Sequence, residues 1–162
     1  MAAPTPSARI APTGRKLGDG YQTLVAVASD TNMSFWENSI TPPGLMADPP
    51  VDTTSMLNTR YHTFSPGTLI TMTEFQMTGF YDPALYSSIV TIINVPTTIT
   101  VHFPDGSSVC FYGYVKDFKP NALERGKPPD ATITVQPTNQ DPTTCNEEDP
   151  VYTAGSGTAS SC

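Results

Sequence analysis

The stretch from Thr98 to Phe118 constrains the fold more than any other part of the chain. Ile99, Val101 and Phe103 alternate with Thr98, Thr100 and His102, and beyond Pro104-Asp105-Gly106 the residues Val109, Phe111, Gly113 and Val115 alternate with Cys110, Tyr112, Tyr114 and Lys116. A period of two sends successive side chains to opposite faces, so this segment predicts a β-hairpin with one face on a core. Charged residues are only 14% and Pro numbers 17, whereas helical surfaces are dense in Glu, Lys and Arg. Short, Thr-rich, Pro-punctuated segments belong to sheets and turns. The expected class is mainly β, with a single core in 162 residues.

Other segments fill in the order of elements. Tyr21 to Ala28 and Ser34 to Ile40 read as strands. Gly67 to Phe80 has the composition of one long strand, and Ala131, Ile133 and Val135 alternate with Thr132, Thr134 and Gln136 in a last one. Asp82-Pro83 supplies a helix start, and Leu85, Ile89, Ile92 and Ile93 share one helical face before Asn94 and Pro96 end it. The β-branched run Ile89 to Ile93 leaves a strand open as the other reading there. Residues 1–20 read as an extended N-terminal arm, 21–137 as the β domain, and 138–162 as a flexible acidic and polar C-terminal tail.

Between the second and third strand candidates lies Thr41 to Asn58, with four Pro, which reads as a long loop or an extended hairpin arm. Pro42, Pro43 and Gly44 shape its start. Leu45, Met46, Val51, Met56 and Leu57 are too apolar for a solvated linker, so a partner surface is the natural place for them.

The net charge of −7 makes counterion-release binding to DNA or RNA improbable. No segment approaches the roughly 18 apolar residues that a membrane helix needs, and the start lacks an apolar signal core, so synthesis in the cytoplasm is expected. Cys110, Cys145 and Cys162 form no CxxC pair, so neither a disulfide framework nor a zinc site is suggested, and no metal or cofactor is expected. His62 and His102 lack a neighbouring base, nucleophile or metal-spaced ligand, and Glu147, Glu148 and Asp149 form a consecutive solvated run. Nothing nominates a catalytic residue, and the chain is not expected to be an enzyme.

Taken together, ITPPGLMADPPVDTTSMLN, YDPALYSSIVTIIN, ITVHFPDGSSVCFYGYVKDFKP and ATITVQPTNQDP resemble the major tail tube protein of long-tailed bacteriophages. The resemblance implies a small β-sandwich or barrel with one helix, six copies forming a ring and rings stacking into a hollow tail. Each subunit would lend four strands to a shared inner barrel of twenty-four. At ~4.8 Å per strand and a tilt near ~40°, such a barrel has a backbone diameter of roughly 45 to 50 Å, enough for duplex DNA to pass without specific binding. An acidic or Thr-rich wall would let the genome slide during ejection into the host.

On that reading the loop residues are inter-ring contacts, and Thr71, Thr73, Glu74, Gln76, Thr132 and Thr134 are the lumen candidates. An ordinary solvated sheet face is the other account of those six. The family implies as partners further copies of the chain, a tape measure protein, a tail terminator and distal tail proteins, with the virion tail as location. The rival readings are a capsid decoration or tail-terminator (connector) subunit, and, from another class, a β-sandwich binding module.

Overall fold

The computed structural model describes residues 23–28 and 35–155. Its chain order is β1 (Leu24–Val27), β2 (Phe35–Thr41), β3 (Leu45–Ala47), β4 (Val51–Asp52), β5 (Phe64–Ser65), β6 (Ile70–Met72), β7 (Phe75–Tyr81), α1 (Leu85–Ile92), β8 (Thr97–His102), β9 (Ser108–Pro120), β10 (Asp130–Pro137) and β11 (Val151–Thr153). The fold is mainly β and antiparallel, as the alternation predicts.

Strand β9 organises it. Its first half pairs with β8, from His102 opposite Ser108 to Thr97 opposite Gly113, and with β11 on its other side. Its second half pairs with β10, from Gly113 opposite Pro137 to Pro120 opposite Ala131. The seven-stranded sheet runs β1-β8-β9-β10-β7-β2, with β11 beside β9. Because β9 serves both ends, the sheet folds over as two layers, β1-β8 with the start of β9 against the end of β9 with β10-β7-β2. Phe75 on β7 meets Phe111 on β9 edge to face across the interior, with ring centroids 5.7 Å apart and planes at 87°. Met77, Leu85, Ile99, Val101, Val115, Ile133 and Val135 complete a core that excludes water. At the open side, the Val25 N–H donates to Glu37 Oε1 at 3.2 Å, so a carboxylate on β2 caps a backbone donor of β1.

The helix forms where Asp82-Pro83 predicts it, and Leu85, Ile89 and Ile92 are its buried face. Asp82 acts two residues early: its Oδ1 accepts the Ala84 N–H at 2.8 Å, and the helix N-cap itself is Ala84, without a side-chain cap. Ile93 leaves the helix in an extended conformation and bridges to Val115. Tyr81, Tyr86 and Phe118 interlock edge to face beside the helix, with centroids 5.4 to 6.1 Å apart. Burial and the neighbouring Tyr86 hydroxyl push the Tyr81 phenol above its ordinary value.

Several expectations are revised. The single strand over Gly67 to Phe80 is two, because β6 and β7 are interrupted at Thr73 and Glu74. The first strand starts at Leu24; Tyr21, Ser34 and the arm 1–20 lie outside the described residues. Of the expected flexible tail, 138–155 is docked, since β11 pairs Val151 with Cys110 and Thr153 with Ser108. This segment cannot bury enough surface alone, but the free side of β9 gives its backbone a partner. Cys110 is disulfide-bonded, which the cysteine spacing did not suggest, while Cys145 is free and exposed.

Gly79 marks the tightest contact within the sheet. A Cβ there would lie 2.2 Å from the Trp36 carbonyl oxygen on β2. Gly79→Ala is therefore expected to push β2 off β7 and cost about 1–3 kcal/mol, read as a lowered urea midpoint. An unchanged midpoint would contradict the close approach.

Candidate assembly surface

Among the described residues, two edges of the layer formed by β2, β7, β10 and the end of β9 carry unpaired backbone. Strand β2 pairs with β7 on one side, from Phe35 opposite Tyr81 to Thr41 opposite Gln76, and among the described residues no strand lies on its other side. Strand β9 loses β8 at Gly113, and after the bridge of Val115 to Ile93 its segment 116–120 has, among the described residues, β10 on one side only. These edges bound a four-stranded layer, β2-β7-β10-β9. Each edge holds a β-bulge, at Asn38 in β2 and at Lys116 in β9, where the register shifts.

The outer face of this layer is polar over most of its area. Core-facing Phe75, Met77, Gly79 and Tyr81 alternate with outward Gln76, Thr78 and Phe80. Opposite them on β10 stand Thr134, Thr132 and Asp130, and beyond those on β9 stand Asp117 and Lys119. Thr78 and Thr132 hydroxyls lie 3.4 Å apart across the strands. The bulge turns Lys116 outward, and its ammonium pairs with Glu74 across β10, which holds the Lys116 pKa above its ordinary value through the hydrogen bond to that carboxylate.

The structure sorts the six lumen candidates. Gln76 and Thr132 share the outer face, and Glu74 borders it through Lys116. Thr134 points the same way but is only 9% exposed. Thr73 is a clamp: its hydroxyl oxygen accepts the Gly44 N–H at 2.9 Å while its own N–H donates to the Gly44 carbonyl at 2.8 Å. Thr71 lies in the arm, opposite Met46. Thr78, Asp117 and Lys119 belong to the face and were not singled out from the sequence; Thr78 follows from the alternation within Phe75–Tyr81, whereas the β9 pair needs the register with β10.

The loop is an extended hairpin arm growing out of the β2–β7 pair. Strand β3 pairs with β6, Leu45 opposite Met72, and β4 with β5, Val51 opposite Ser65. All the apolar contact candidates, Leu45, Met46, Val51, Met56 and Leu57, are more than half exposed, and Met56 and Leu57 reach 104% and 90%. Pro42, Pro43 and Gly44 form the neck that Thr73 clamps. The returning strand adds Tyr61, Phe64, Leu69 and Ile70, also exposed, which the sequence reading left out because it ended the loop at Asn58.

The arm's tip is held by its own hydrogen bonds. Ser55 N–H and hydroxyl both donate to Asn58 Oδ1, at 2.9 and 3.0 Å, and Asn58 Nδ2 donates to the Tyr61 carbonyl at 3.1 Å. Thr54 Oγ1 lies 3.2 Å from His62 Nδ1, so His62 is tied into this turn. His102 is the last residue of β8, opposite Ser108. Among the described residues no group of three His, Cys, Asp or Glu could hold a metal ion.

Asp52 Oδ1 accepts the Thr54 N–H at 2.8 Å, and hydrogen bonds from the Thr54 side chain and backbone hold this carboxyl below its ordinary value of 3.8. A depressed carboxyl contributes order that is present above the ordinary value and lost as pH falls through the folded one. An NMR titration is expected to place the Asp52 midpoint below 3.8, with the Thr54 amide signal moving in step. A midpoint at or above that value would contradict the turn geometry.

No protein-family model matches the chain, and no curated protein matches its sequence. Among solved structures it is similar to a chain of the anti-feeding prophage (AFP) baseplate, a six-fold symmetrised cryo-EM structure, with a TM-score of 0.56 at 7% identity. The superposition covers 83% of this chain and 92% of that one, so the two share a fold across nearly their whole lengths.

Proposed function

We propose that this chain is a structural subunit of a phage-type tail, and that its copies join into rings, six to a ring, that stack into a tail tube for genome ejection. The observation that carries this reading is the four-stranded layer with two open edges and a Thr, Gln and charged outer face. An open β2 edge and an open β9 edge on one layer are complementary in kind, so β2 of one copy can continue the sheet at β9 of the next. Repeated round a ring, four strands from each of six copies give the twenty-four-stranded wall whose bore admits duplex DNA. The likeness in fold to a chain of a six-fold symmetrised prophage baseplate supports it.

On this reading the outer face becomes the lumen, with Gln76, Thr78 and Thr132 as neutral hydrogen-bonding groups and Asp117, Lys119, Glu74 and Lys116 largely balanced in charge. Such a wall has no continuous basic stripe to hold phosphates. The role is structural and needs no catalysis or cofactor. Its partners are other copies, together with the tape measure, tail terminator and distal tail proteins of such a particle, and its location is the virion tail.

Electron microscopy of the purified protein at high concentration tests this, with stacked rings or tubes expected. A strictly monomeric particle would contradict the proposal, and a closed ring that never stacks would point to a terminator. Excising 45–71, so that Gly44 joins Met72, is expected to leave the folded core intact by circular dichroism and to abolish stacking. Deleting only as far as Asn58 would strand β5 and β6 without partners. Normal tubes from the excised variant would show that the arm is not the axial contact.

A further inference from the structure

The arm and a second apolar feature lie at opposite poles of the same layer. Strand β2 runs into the arm at Thr41, opposite Gln76, while its other end pairs Trp36 with Phe80. At that far end Asp130 stands opposite Phe80, and the connection 121–129 joins β9 to β10. This connection and Phe80 enclose an open concavity of about 460 Å³, lined by Phe80, Asn121, Glu124, Lys127 and Asp130 among others. Its shape is held from within: Asn121 N–H donates to the Asp130 carbonyl at 2.9 Å, Asn121 Nδ2 to Asp130 Oδ2 at 2.7 Å, and Lys127 Nζ pairs with Glu124 at 2.7 Å. Around it, Trp36, Phe80 and Leu123 are 60%, 40% and 75% exposed.

We infer that this far pole is the receptor for the arm of the next copy along the axis, an inference that rests on the tail-tube reading. A contact that repeats by translation must join two different patches at opposite ends of one subunit. The arm at one pole, and at the other the concavity with exposed Trp36, Phe80 and Leu123 on or near it, meet that condition. Length agrees: at ~3.3 Å per residue, the outgoing segment from Thr41 to Ser55 spans at most about 46 Å, against about 23 Å for the seven residues of β7, so the arm is long enough to reach a stacked neighbour's facing pole. Chemistry agrees as well. Methionines 46 and 56 and leucines 45 and 57 are adaptable apolar groups, and Trp, Phe and Leu are what such groups bury against. Asn121, Asp130 and the Lys127–Glu124 pair supply the polar part of the lining.

The test places a photo-crosslinking amino acid at Leu123 in the full chain and assembles labelled with unlabelled copies, so that mass spectrometry distinguishes links between copies. Tubes whose Leu123 position crosslinks to residues 45–71 of another copy are expected. Trp36 is the chain's single tryptophan, so its emission should also become several-fold less quenchable by acrylamide on assembly. Tubes that form normally but link Leu123 to other segments, or to none, overturn this inference and leave the tail-tube reading standing. Absence of any rings or tubes removes both.

Discussion

The backbone of the β2-β7-β10-β9 layer sets the rest of the molecule's behaviour, because every N–H and C=O of an unpaired edge needs a hydrogen-bond partner. Soluble proteins blunt such edges with Lys, Pro, bulges and inward-pointing charges. Strand β9 ends in Lys116, Lys119 and Pro120, both edges are bulged, and Glu37 on β2 points inward to Val25. These devices oppose pairing with arbitrary strands; on the proposed reading, a copy of the same chain, presenting a bulged edge of its own, is the shaped partner. The edges thus combine availability with selectivity, the combination that the proposed assembly needs.

The core and the arm are energetically separate. Phe75, Phe111, Met77 and Ile133 hold the two layers together, and only Met72 carries the arm's base into that core. Beyond the Thr73–Gly44 clamp, the arm keeps its form through backbone ladders and the Asn58 and Asp52 turns, with nearly all its apolar side chains outside. A chain that spends so many Met, Leu, Ile and Phe residues on exposure gains from them only in contact with something else. On the inference above, the concavity at the opposite pole, braced by the Asn121–Asp130 hydrogen bonds, receives them.

Much of this was legible in the residues. The alternation through Ile99, Val101, Phe111 and Val115 identified the β8–β9 hairpin, and Asp82-Pro83 with Leu85, Ile89 and Ile92 identified the helix, because both signals are local periodicities. The apolar content of Leu45 to Leu57 marked the arm, although its returning strand was merged with β7, since nothing local reveals the Thr73–Gly44 clamp between residues 29 apart. Strand β11 was hidden for the same reason: its partner, β9, lies about forty residues upstream. Thr134 follows the alternation and is still only 9% exposed, and the bulge at Lys116 in the neighbouring strand depends on a register that no single strand encodes.

The most direct measurement of the central claim is amide hydrogen exchange on the two edges, compared between dispersed and assembled protein. Outward amides in Phe35–Thr41 and in 116–119 should exchange freely in the monomer and become strongly protected on assembly, while the already paired β7–β10 amides stay slow in both. Equal exchange at those edges before and after assembly would mean that copies do not complete one another's sheets, and the account would fail.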